Sequence, residues 1–147
     1  MKNSLIQLFI REIEKLQKEI QLYSNEEIFW KIDNDIKNSA GNLAIHLIGN
    51  LNHFIGATLG KSGYIRQRDK EFNDKNIPRK LILEHLEEVK GTIEQVIQQL
   101  SENDLNDEYQ INVFKRESMS TEYFLIHLYG HLNYHLGQIN YHRRLLT

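Results

Sequence analysis

Residues 125–146 read LIHLYGHLNYHLGQINYHRRLL, and four of the chain's seven histidines, at 127, 131, 135 and 142, fall inside that stretch. An α-helix turns about 100° per residue, so positions four apart lie only about 40° from each other around its axis. Taking His131 as the reference, His127, His135, Gln138 and His142 all fall within about 40° of it. Leu128, Leu132, Leu136 and Ile139 lie to one side and mark the buried direction. The imidazoles therefore border a core, where a ring costs desolvation unless it finds a hydrogen bond or a metal.

A second segment, SAGNLAIHLIGNLNHFIGATL, repeats the design. Ser39 is its plausible N-cap and Gly60 its stop. Ser39, Asn42, His46, Asn50 and His53 line one stripe, flanked by Leu43, Leu47 and Phe54. Two helices with a polar stripe beside an apolar one predict a polar pocket inside a bundle. His131 and His135, at i and i+4, can aim one nitrogen each at a common point, and His46 can supply a third. Three imidazoles without a fourth protein ligand describe an open first-row metal site, whereas structural zinc is normally closed by four. The competing reading is that an HxxxH pair is common and buried histidines often only satisfy hydrogen bonds. His85, in LEHLEEVK, reads as a surface residue, and His53 and His142 as residues lining the pocket or sitting at its ends.

The remaining chain fits an all-α protein of one domain, residues 1–147. With one proline in 147 residues and few alternating β-branched runs, helices dominate. Leu5, Phe9, Ile13, Leu16, Ile20 and Tyr23 step along a first helix, and the SNEE run from Ser24 reads as a capping box with a Tyr23–Ile28 staple. Pro78 opens a third helix carrying Leu86, Val89, Ile93, Val96 and Leu100, and Ser120 opens a fourth. Polar connections at 60–76 and 101–118 complete a four-helix bundle with long links whose lengths permit more than one topology.

Apolar residues make up 40% and charged residues 26%, with a net charge of −2, so no electrostatic footprint for nucleic acid or a membrane surface appears. Arg143 and Arg144 read instead as favourable charges at a helix C-terminus. No apolar run approaches a membrane span, and the N-terminal segment carries Glu12, Glu14 and Glu19, which predicts a cytoplasmic protein. The chain contains no cysteine, so any metal must be held by nitrogen and oxygen.

SAGNLAIHLIGN and HLNYHLGQI together resemble the DinB-like, or YfiT-like, superfamily of four-helix-bundle metalloenzymes, and GYIRQRDKEF resembles the loop of one of its branches. The resemblance implies that His46, His131 and His135 hold a divalent ion, often zinc, nickel or iron, and that Gly137 and Gln138 match the pair that follows. We attribute Gly137 to close helix approach and Gln138 to a hydrogen bond supporting His135. It further implies a homodimer, and either transfer of a low-molecular-weight thiol to an electrophile or hydrolysis of a small-molecule substrate. A metal would lower the pKa of a bound thiol or water, and a thiol must arrive as a cosubstrate.

Asn50, His127 and Tyr134 are candidates to orient substrate or take part in the chemistry. Arg66 and Arg68 are candidates to hold an anionic group, against the alternative of a loop salt-bridged through Asp69 and Glu71. Glu71 would complete the metal shell if its loop folded over the pocket. The alternative to an enzyme is a stress-related protein that binds a metal or ligand without catalysis. A ferritin-like di-iron centre is disfavoured, because no Glu-x-x-His pair accompanies the histidines.

Overall fold

Leu5, Phe9, Ile13, Leu16 and Ile20 recur every three or four residues and all are buried, forming the inner face of helix α1 (Lys2–Gln21) in a computed structural model that describes residues 1–115 and 117–147. A short α2 (Glu26–Phe29) follows. Its cap is Asn25, whose side chain accepts from the Ile28 N–H, and not the Ser24 of the expected capping box. Tyr23 packs edge-on to Phe29, with ring centroids 5.1 Å apart.

Ser39 caps α3 (Ala40–Leu51) by accepting from the Asn42 N–H at 3.1 Å. The sequence predicts one continuous α-helix from there to Gly60. Instead, Asn52–Ala57 forms a π-helical turn, with the Thr58 N–H donating to the His53 carbonyl and the Gly60 N–H to the Ile55 carbonyl. The Thr58 hydroxyl donates to the His53 carbonyl as well, at 3.0 Å. The wider turn shifts the residues that follow it, Thr58 to Gly60, relative to the α-helical stripe.

The 60–76 connection contains a helix of its own, α4 (Arg68–Asn73), before α5 (Arg79–Gln99), which Pro78 caps. The second connection contains α6 (Glu102–Asn106), opened by a capping box between Ser101 and Asp104. Ser120 caps α7 (Thr121–Leu146) by accepting from the Tyr123 N–H.

Helix α1 packs on α5 and α7, and α3 packs on the same two helices. The four long helices thus form a bundle with α1 opposite α3 and α5 opposite α7. The links 22–39 and 100–120 cross the diagonals, while 58–78 joins neighbours. Among the described residues there is no β-strand, and no helix is long and apolar enough to cross a membrane.

Candidate metal centre

Two neighbouring helices, α3 and α7, bring the site together. His46 projects from the middle of α3 and is buried, while His131 and His135 project from successive turns of α7 and are half-buried. The Nε2 of His46 lies 3.2 Å from Nε2 of His131, which lies 3.1 Å from Nε2 of His135. Two nitrogens each about 2.1 Å from one metal sit about 3.4 Å apart at a tetrahedral angle and about 3.0 Å at a right angle. The observed spacing falls between these values. Among the described residues, these three are the group of histidine and acidic side chains able to hold one ion.

Hydrogen bonding fixes where the lone pairs point. Nδ1 of His46 lies 2.9 Å from Oε1 of Glu71, and since a carboxylate only accepts, the ring donates there and leaves Nε2 as a lone pair. Nδ1 of His135 donates to the Gln138 side-chain oxygen at 2.7 Å, which likewise frees its Nε2. Nδ1 of His131 is buried without a partner. If its Nε2 carried a proton, that proton could serve only one of two facing lone pairs well. An ion at the centre satisfies all three nitrogens, and this is how the donor set fits a metal.

Electrostatics favour the same state. Burial, reinforced by the neighbouring His135 and His46 charges, pushes the His131 imidazole down to about 3, so it stays neutral at physiological pH. His135 is also lowered by burial, against the opposing bond to Gln138. Burial alone would raise the Glu71 carboxyl, but the His46 N–H and the Arg66 guanidinium outweigh it and hold the group below its ordinary range.

The loop after α3 does fold over the site, though Glu71 occupies the far nitrogen of His46 and not a ligand position. Its other partner is Arg66, whose Nε donates to Oε2 at 2.8 Å and whose terminal nitrogen donates to Oε1 at 2.9 Å. This bidentate pair is the salt-bridged alternative for Arg66; no ion pair to Asp69 accompanies it among the described residues. Two features of α3 hold the carboxylate in place. The Asn42 amide donates to the Glu71 and Asp74 carbonyls at 3.0 and 2.8 Å, pinning both ends of α4's last turn. A Cβ on Gly49 would run into the Glu71 carboxylate, so glycine is needed one turn past His46. A glycine inside an otherwise strong helical pattern was the available signal for this close approach.

The other candidates are placed elsewhere. His142 is buried in a structural role: its Nε2 donates to the Lys31 carbonyl at 2.8 Å, and Nδ1 lies 2.7 Å from the Tyr23 hydroxyl. His127 is exposed and stacks on Phe124, against Phe114. His53 packs edge-on to Phe54, and burial together with the Arg66 charge lowers its pKa. Asn50 is buried with its side-chain oxygen unpartnered. Tyr134 is exposed, its ring edge-on to His135 at 5.3 Å. Arg68 lies over the ring of Phe72 at 5.4 Å. Gly137 is exposed, and a Cβ there would meet open space, so close helix approach does not explain it. The cluster itself sits at the α3–α7 seam.

A model of a family described as a protein of unknown function, DUF1572, matches residues 2–147. The chain belongs to that family. Among solved structures, it is similar to a DinB-like protein from Bacillus cereus ATCC 10987, with a TM-score of 0.75 and 21% identity over 97% of this chain and 91% of the other. That likeness establishes the DinB-like fold for this DUF1572 member. No curated protein matches it.

Proposed function

We propose that this DUF1572 protein is a metal-dependent enzyme in which His46, His131 and His135 hold one divalent ion, zinc, nickel or iron, and a low-molecular-weight thiol is the nucleophile. The observation that carries the reading is the convergence of three imidazole Nε2 atoms, two of them freed as lone pairs by the Nδ1 bonds of His46 to Glu71 and of His135 to Gln138. An all-nitrogen donor set suits these borderline metals, and three protein ligands leave room for a small molecule. The ion would lower the pKa of a thiol or water held beside it.

The surrounding residues favour a thiol over water. Hydrolysis gains from a free general base, and the carboxylate against the cluster, Glu71, is committed to His46 and Arg66. A thiol becomes a competent nucleophile by ionising, without such a base. Glu71 and Gln138 set the tautomers of His46 and His135 and fix their ring orientations.

A homodimer fits the outer face of α7. Ile126, Tyr134, Tyr141 and Leu145 are exposed there beside Gly130 and Gly137, at which a Cβ would meet nothing. Light scattering on wild type and Tyr134→Glu tests this: wild type should have twice the chain mass, and the variant should shift toward one.

The first experiment measures metal content in protein purified without a histidine tag, beside a His131→Ala, His135→Ala double variant. The reading requires about one divalent ion per wild-type chain and loss of that ion in the folded variant, followed by thiol consumption in the presence of electrophiles. Metal-free wild type after reconstitution would refute it. A loaded but inert protein would leave a non-catalytic binding protein.

A further inference from the structure

Charge is unevenly distributed around the histidine cluster. The three ligands are neutral imidazoles, so they cancel none of the charge of a divalent ion. The nearby carboxylate of Glu71 is already matched by Arg66, which spends its Nε and one terminal nitrogen on it in a part-buried pair. Arg68, two residues further on, is different. It is exposed, and among the described residues it makes no hydrogen bond or ion pair; its guanidinium rests over the Phe72 ring at 5.4 Å.

Phe72 is the link to the metal centre. Its ring packs against His46 at 4.9 Å between centroids, tilted by 37°. One aromatic ring therefore separates the Arg68 guanidinium from a metal ligand. Arg66 and Arg68 also line a common surface depression of about 390 Å³ with Gln67, Asp69 and Lys70. Stacking on an aromatic face holds a guanidinium in place while leaving its in-plane N–H donors free, which suits bidentate capture of a carboxylate.

We propose that Arg68 is the specificity residue of this site and that the substrate class is a bifunctional anion. One end occupies the metal, and a carboxylate at the other end is held by Arg68 across the Phe72 ring. This rests on the three-histidine metal centre proposed above. The roles of the paired arginines divide accordingly: Arg66 positions Glu71, and Arg68 meets the ligand.

The test uses full-length protein loaded with Co²⁺, whose visible absorption reports both occupancy of the histidine cluster and binding of an anion beside it. Adipate and hexanoate are titrated in parallel, since they have the same length and differ by the far carboxylate. Wild type should bind adipate at least about ten-fold more tightly than hexanoate, as a charge-assisted bidentate contact provides. Arg68→Gln should erase that preference while keeping hexanoate affinity, and Arg68→Lys should restore only part of it. Equal affinities in wild type, or a preference that survives Arg68→Gln, would overturn the assignment while leaving the metal centre standing. Failure of Co²⁺ to develop a histidine-ligated spectrum would overturn the centre itself, and the proposal with it.

Discussion

Gly49→Ala is the sharpest perturbation the geometry offers, because one methyl group tests a metal centre it does not touch. A Cβ at position 49 would occupy the space of the Glu71 carboxylate, with Oε2, Cδ and Cγ its nearest neighbours. Backbone and carboxylate cannot both stay, and the side chain is the softer of the two. Displacing it breaks the bond to Nδ1 of His46 and the bidentate pair with Arg66. Loss of such a supporting partner costs metal affinity about 10- to 100-fold, or about 1.4–2.7 kcal/mol. Helix propensity runs the other way, since alanine is favoured over glycine by about 1 kcal/mol in a helix interior. The variant should thus stay folded when metal-free, yet hold metal far less well. Competition against a chromogenic chelator gives the affinity, and urea denaturation of the metal-free protein gives the stability. Wild-type metal affinity in Gly49→Ala would refute the claim that Glu71 supports the centre through His46.

Gly91 provides the contrasting case: it lies exposed within α5 with nothing near its missing Cβ, so Gly91→Ala should stabilise by up to about 1 kcal/mol in urea and leave metal affinity unchanged. Tyr23→Phe removes the hydroxyl facing the buried Nδ1 of His142 and should cost about 1–3 kcal/mol in the same assay, again without affecting the metal. Acid should destabilise the protein through His142, whose pKa burial lowers against an opposing bond to the Lys31 carbonyl. The unfolded chain takes up this proton near pH 6.5 and the native state only at lower pH, so its contribution is present above about 6.5 and is lost as pH falls toward the native value. The limit is about 1.4 kcal/mol per pH unit for one group. Comparing urea midpoints at pH 7.5 and 5.5, the drop should be smaller in His142→Gln than in wild type, and equal drops would contradict it.

The parts of this molecule that were legible in the sequence are those governed by a single helix. His131 and His135 meet because i and i+4 share a face, and Gln138 reaches His135 for the same reason. His142 shares that angle almost fully, yet it does another job. A helical wheel reports direction and not height, and eleven residues carry His142 about 16 Å along the axis, to Tyr23 and the Lys31 carbonyl. His53 is displaced in the same way, since seven residues carry it about 10 Å along the axis from His46, to pack on Phe54. The Glu71–Arg66 pair depends on how the 58–78 link folds back onto α3. That is decided by Asn42, a stripe residue that turned out to bind backbone and not a ligand. Diagonal packing was likewise beyond pattern reading, because helix faces specify burial without naming the neighbour.

His46 and His131 stand 85 positions apart in the chain. An ion meeting the unfolded polypeptide would find only the run of His127, His131 and His135 at close spacing, and only where that segment is already helical. The third donor, His46, arrives when α3 docks against α7, which requires the 58–78 link and the diagonal 100–120 link to have closed. An ion held by all three would therefore bind tightly only at the end of folding, and would favour the finished bundle over every earlier species. A variant with those links lengthened should therefore lose affinity for an ion at the three histidines before it loses its helices.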